Sequence, residues 1–410
     1  SYTNNSLPSS HVFSLSPIDE VTNFTRNKKS SGFLPVRYPV WPESGTMPAG
    51  FSECASDTNV STDIFVFLPM GPAGWRRPVK NMEVMLYPLK FKPILKSQIW
   101  GGDRLVKAGK RLPAKLSAAA GSIGESWEIS GVEGDVSVVS NGFLKSNNLE
   151  EITEVYMGDL VGEKVYDTYG LEFPVLVKFI DAHDVLSVQV HPDDGLARER
   201  HGSRGKTEMW YVADCEPGAY LYVGFNRPVT RDEYLRAVSE GTLTDLLMRY
   251  EVRKGDAYYI PAGTVHAIGP GLLIAEIQET SDITYRISDW GRLGRDGKPR
   301  QLHTAEATDA IDFNYGKEYF RPAVAAPGSV KEIVSTPFFT TNVIEVDGEV
   351  RRDYASLDSF VAYICTDGAL RADTDGGSEK LAALESLLLP AEIDEAVLSG
   401  KGTLLEVYMV

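Results

Sequence analysis

The apolar positions of this chain follow two regimes that meet near residue 82. Residues 1–81 scatter apolar side chains among Ser, Asn, Thr and Pro with no sustained period of two or of 3.6. That pattern predicts an irregular or disordered extension. From Leu86 onward, short apolar runs alternate with polar positions and are cut by Gly and Pro, the grammar of strands and turns. Strands are expected over 88–100, turned by Gly101-Gly102, and over 124–130, 135–139, 174–179, 185–190 and 208–212. More follow at 257–260, 266–268, 272–278 and 284–287, then at 338–346, 359–366, 387–389 and 404–410. Two capping boxes mark helices. Asn148 with Glu151 opens one over 149–157, with a second before Gly170. Thr230 with Glu233 opens another over 231–249, with Tyr234, Leu235, Val238, Leu243, Leu246 and Leu247 on one face. The segment 198–204 reads as a solvated loop, and a polar, basic loop is expected from Gly291 to about His303. Short strands at this spacing predict a mainly β architecture of sandwiches or barrels with a small helical insertion.

Length and charge narrow the picture. A chain of 410 residues suggests two or three domains. The expected division is a 1–81 extension, an 82–330 domain with a helical insertion at about 228–250, and a second β domain over 331–410. One expectation is that Met82 or Met85 is the true start and the upstream part an appendage or a misassigned extension; the alternative is that the upstream part is a short docking arm. A net charge of −16 argues against nucleic-acid or anionic-membrane partners, so an anionic substrate would need a local basic pocket. Cys54, Cys215 and Cys365 are odd in number and far apart, which suggests a reducing, cytoplasmic compartment and no disulfide framework. No membrane-length apolar run or secretory leader is expected, and Asn23-Phe24-Thr25 and Asn59-Val60-Ser61 read as accidents of composition.

The candidate chemistry gathers in three runs. In LSVQVH, residues two apart share a face, so Gln189 and His191 project together while Val188 and Val190 face the other way. Glu208 opens a second alternating run, and His266 opens a third after a Pro261-Ala262-Gly263 turn. Two imidazoles, a carboxylate and an amide oxygen brought together by neighbouring strands can bind a divalent metal.

The segments IWGG, GESWEIS, QVHPDD, GKTEMWYV, IPAGTVHAIG and YRISDWGR occur in this order. Together they resemble type I mannose-6-phosphate isomerases (phosphomannose isomerases) of the short bacterial form, over about 86–410. The resemblance implies a cupin fold of two jelly-roll β-barrels and one zinc ion per chain. The implied metal ligands are Gln189, His191, Glu208 and His266. Arg286 matches the family's catalytic arginine, and Lys178 and Lys206 match its active-site lysines. No histidine follows His303, so a C-terminal barrel would lack ligands and a single metal site is expected. The chain has no Gly-rich motif of the guanylyltransferase fused to some relatives. The implied partner is a sugar phosphate, with the chain a monomer or homodimer.

An aldose–ketose isomerase moves a proton between C2 and C1 through an enediolate, so positive charge must await the oxygens. A zinc with one anionic and three neutral ligands keeps net positive charge for that task. Arg286 keeps its proton and is assigned to the enediolate. A lysine in a desolvated pocket can have a lowered pKa, leaving Lys206, Lys178 or a bound water as candidate bases. The basic segment 198–204 leads straight into Glu208 and is a candidate source of positive charge for a phosphate. The alternatives are another metal cupin enzyme, either a different sugar isomerase or an Fe(II) oxygenase, and a non-catalytic sugar-binding cupin. Two His and a carboxylate also suit Fe(II).

Overall fold

The computed structural model describes residues 85–409, all within one compact unit, 83–410. The expectations for residues 1–81, including Cys54, lie outside the described residues. The first twelve strands run in chain order as β1 Ile94–Gly102, β2 Ile123–Ile129, β3 Val175–Ala182, β4 Val188–Val190, β5 Glu208–Cys215, β6 Tyr220–Phe225, β7 Leu247–Glu251, β8 Ala257–Ile260, β9 His266–Ile268, β10 Leu272–Glu279, β11 Tyr285–Ser288 and β12 Phe320–Arg321. They form a seven-stranded sheet, β1-β2-β3-β10-β5-β8-β12, and a five-stranded sheet, β11-β4-β9-β6-β7, with every pairing antiparallel. The last six, β13 Ser329–Ser335, β14 Thr340–Asp353, β15 Val361–Thr374, β16 Gly377–Ala382, β17 Ser386–Leu389 and β18 Glu395–Tyr408, make a third sheet.

The seven-stranded sheet is the wall on which the molecule is built. Strands β3 and β10 are buried at every position. On one face Ile180, Trp210, Val212, Tyr258, Ile260 and Ile274 meet Leu221, Val223 and Ile268 of the five-stranded sheet. On the other, Val177, Phe179, Met209, Tyr211 and Ile277 share a core with Ala362, Leu388 and Leu405 of the third sheet and with Phe360 just before β15. Burial on both faces explains why these strands read as near-continuous apolar runs. The outer face of the five-stranded sheet is covered by the helices Arg231–Glu240 and Thr304–Ala310, with Val188, Val190, Val265 and Ala267 beneath Tyr234, Ala237 and Ala307.

Several elements differ from the sequence expectation for local reasons. Gly101 and Gly102 do not turn the chain: they end β1, where Gly101 pairs with Ala182. A Cβ on Gly101 would lie 2.4 Å from the Gly124 nitrogen, so glycine here serves close strand approach. Residues 135–139 form only isolated bridges, Phe91 to Val139 and Val138 to Asn148, not a ladder strand. Both capping boxes are present. The first helix runs further than expected, Leu149–Val161, interrupted by non-helical Met157. The helix begun at Thr230 stops at Glu240, because Gly241 takes the left-handed conformation and Thr242 N–H closes back on Ala237 O. The later apolar residues of that expected face belong to a 3-10 turn, Leu243–Leu246, and to β7. Most of 198–204 lies not in a loop but in the helix Asp194–His201, capped by Asp193.

Candidate metal centre and active site

Strand registry brings the candidate residues into two facing rows. Arg286 lies opposite Gln189, and Gln189 opposite His266, across β11, β4 and β9. Cross-strand partners share a face, so these three point into the space between the sheets, with His191 two residues beyond Gln189. In the facing sheet Trp127, Lys178, Glu276 and Trp210 are likewise register partners across β2, β3, β10 and β5. Glu208 lies two residues before Trp210 and therefore on the same face. Trp127, whose place between core and pocket wall was open from sequence, sits beside Lys178, with the ammonium 5.9 Å from its ring centre.

His191, Glu208 and His266 converge, with ligand atoms all within 4.8 Å of one another and all three side chains buried. His191 Nδ1 donates to Ile283 O at 2.8 Å and His266 Nδ1 to Thr264 O at 2.8 Å, since a carbonyl can only accept. Both rings therefore turn an Nε2 lone pair toward Glu208, at 3.5 Å from His191 and 3.4 Å from His266. His191 Nε2 and Glu208 Oε1 are buried with no hydrogen-bond partner, and Glu208 Oε2 has the Lys206 ammonium beside it at 3.0 Å. Burial holds His191 well below the usual histidine range and His266 at about 4, so both imidazoles are neutral. Burial pushes Glu208 up to about 7. Buried lone pairs that converge on one point, from rings oriented by backbone carbonyls, fit a divalent cation. Gln189 places its Nε2 3.2 Å from His266 Nε2; as a ligand it would present the amide oxygen after a flip.

A second cluster adjoins these donors. Lys178 Nζ lies 2.8 Å from Glu276 Oε1, and Lys206 Nζ lies 3.0 Å from Glu208 Oε2 and 3.6 Å from Glu276 Oε1. Trp210 Nε1 donates to Glu276 Oε2 at 2.9 Å. Burial works against ionisation of Glu276, but Lys178 and Lys206 outweigh it and bring its pKa down to about 2. Burial likewise opposes charge on Lys178, yet the Glu276 carboxylate prevails and raises the pKa. The lowered lysine pKa expected from a closed pocket therefore does not hold at Lys178. Sequence reasoning passed over Glu276; the signal was a carboxylate in the middle of the otherwise apolar run of LLIAEIQE, which ends on a second, Glu279, and it lies on the same face as Ile274 and Gln278.

Arg286 sits half-buried at the edge of the five-stranded sheet, its Nη1 donating to Gln301 O at 2.9 Å. The segment 198–204 is largely committed elsewhere. Arg200 pairs with Asp309 and Arg204 with Glu172, and His201 Nε2 meets the Tyr285 hydroxyl at 2.8 Å.

The model of the type I phosphomannose isomerase catalytic domain matches residues 88–217. The chain is 39% identical over 229 residues to the mannose-6-phosphate isomerase ManA of Bacillus subtilis, covering 55% of this chain and 68% of that protein. It is 34% identical over 294 residues to the mannose-6-phosphate isomerase of Streptococcus mutans, covering 70% of this chain and 87% of that protein. The chain belongs to the type I phosphomannose isomerase family. The crystal structure of a Bacillus subtilis mannose 6-phosphate isomerase superposes with a TM-score of 0.71 at 31% identity, over 79% of this chain and all of that one. The mainly β, cupin-type architecture expected from sequence is thus that of the family. Trp127, Lys178, His191 and Glu208 lie inside the matched stretch, and His266, Glu276 and Arg286 lie beyond it, on β9, β10 and β11.

Proposed function

We infer that this protein is a metal-dependent isomerase interconverting mannose 6-phosphate and fructose 6-phosphate. The observation that carries the reading is the convergence of His191, Glu208 and His266, all three buried and with His191 Nε2 and Glu208 Oε1 unengaged, in a chain of this family. These three and Gln189 would hold one Zn²⁺, which would supply Lewis acidity to the sugar's reacting oxygens. Imidazole nitrogen and carboxylate oxygen are donors that suit zinc.

The roles of the other side chains follow from their charge. Arg286 stands in the same row as Gln189 and His266, keeps its proton, and is assigned to the negative charge that grows on the enediolate. Lys178, held as an ammonium by Glu276, is a donor to a sugar oxygen rather than a base. Lys206, between two carboxylates, is the remaining lysine for proton traffic at C1 and C2. The division proposed for the chain keeps the site within 82–330 and leaves 331–410 a ligand-free second domain.

An Fe(II) oxygenase or a sugar-sensing cupin is not favoured, because the acid–base cluster and Arg286 are retained beside the metal donors. A coupled assay of mannose 6-phosphate against free mannose, with and without a chelator, tests the reading. Chelator-sensitive turnover of the phosphorylated sugar alone is the expected result. Oxygen uptake with Fe(II) and a keto acid, or chelator-resistant turnover, overturns it.

A further inference from the structure

The segment 289–303 leaves β11, crosses the surface and returns onto the same strand, and its return holds Arg286. His303 N–H donates to the Arg286 carbonyl at 2.8 Å, and His303 Nδ1 accepts the Arg286 N–H at 3.0 Å. The Gln301 carbonyl accepts from Arg286 Nη1, whereas Arg286 Nε is buried without a hydrogen-bond partner. Among the described residues, then, the guanidinium is oriented by where residue 301 is placed.

Residue 301 is placed by its neighbour. Arg300 Nε donates to Asp289 Oδ2 at 2.7 Å and its Nη2 to Asp289 Oδ1, a bidentate pair closing a loop of sequence separation 11. Arg292 Nη2 donates to the same Oδ1 at 2.7 Å and its Nη1 reaches the Val185 carbonyl, tying the loop to the turn before β4. Asp289 is only 5% exposed, so the pair is shielded from solvent. Its charge also offsets the repulsion that Arg300 and Arg292 exert on Arg286. A planar fork gripping a carboxylate fixes direction as well as distance.

We propose that Asp289 is a positioning residue for the isomerisation: by gripping Arg300 it seats the Gln301 carbonyl, and through it aims the Arg286 guanidinium at the reacting oxygens. The proposal rests on the role given to Arg286 above. Asp289 touches no reacting atom, so its loss acts on the transition state through Arg286 and leaves the metal donors alone.

The test is a double-variant cycle with bound metal measured throughout. Asp289→Asn keeps size and removes charge. It is expected to lower kcat about 10- to 100-fold, the cost of small misplacements, with KM and metal content little changed. In an Arg286→Lys background, where the fork is already gone, Asp289→Asn should cost nothing further. If Asp289→Asn does not accumulate as folded protein, Arg300→Lys keeps the charge but loses the second hydrogen bond, and should lower kcat in the same direction by less. An unchanged kcat in the folded variant, a raised KM with intact kcat, or a full additional loss on top of Arg286→Lys overturns the proposal. If Arg286→Lys alone leaves kcat intact, the role of Arg286 falls and this proposal with it. That outcome is distinct from loss in Arg286→Lys with none in Asp289→Asn, which removes only the proposal for Asp289.

Discussion

At His266 the backbone decides the chemistry: the Thr264 carbonyl accepts a hydrogen bond from Nδ1–H, which fixes the proton there and puts the ring's lone pair on Nε2. Gln189 has no such support. Its amide rests against the ring it would join, and Ser187 Oγ meets its oxygen only at 3.3 Å. His266→Ala should therefore lose more bound metal after dialysis than Gln189→Ala, read by elemental analysis; the reverse order would remove Gln189 from the second rank of ligands. The proton on Glu208 gives a pH signature. With a metal-free pKa of about 7, this carboxyl must release a proton before it can bind a cation in acid. Metal affinity should then climb about tenfold per pH unit below that value and level off above it. Competition titrations across that range check the slope, and a flat profile would show that Glu208 is already ionised without metal. The candidate donors His191, Glu208 and His266 were legible in sequence because each begins or ends an alternating run beside a turn. Glu276 was not, because a carboxylate in the middle of a mostly apolar strand gives no hint that two lysines, 98 and 70 positions earlier, come back to meet it.

Among the elements, β1 and β2 depend on a missing side chain. The Gly101 Cβ position is occupied by Gly124 backbone, which cannot move without parting the strands. Gly101→Ala should cost about 1–3 kcal/mol, the usual penalty for overpacking, seen as a lowered denaturation midpoint with the same slope. A neutral result would show that the β1–β2 edge is loose. The same glycines illustrate what pattern reading reaches. Alternation located nine of the twelve strands of the two sheets that flank the site, missing β6, β7 and β12, and cap chemistry located two helices, since both signals are local. Long-range pairing decided the rest. The strands β14, β15 and β18 each span 14 residues, because Gly348 pairs with Gly400 and Gly368 with Gly402, glycines that read as breaks in the sequence. The helix Asp194–His201 escaped notice because Ala197 is its one buried position, too little for a periodic face.

Taken whole, the molecule holds four apolar cores, and Trp210 belongs to one of them while packing edge-on against His266. Removing the metal should abolish turnover while far-UV circular dichroism and a cooperative melt persist. Collapse of the melt on chelation would make the ion a structural one. No helix among the described residues is long and apolar enough to cross a membrane. The double-sided wall has a further consequence, for how such a chain can vary in length. Along β5 and β10 odd and even positions answer to different neighbours: Glu208, Trp210, Glu276 and Gln278 face the site, and Met209, Tyr211, Ala275 and Ile277 face the shared core. Inserting or deleting one residue inside either strand would exchange the two sets, pressing carboxylates into the dry core and methyl groups into the site. Variation in length is therefore confined to the connections, and the strands that bear the chemistry can change their letters but not their count.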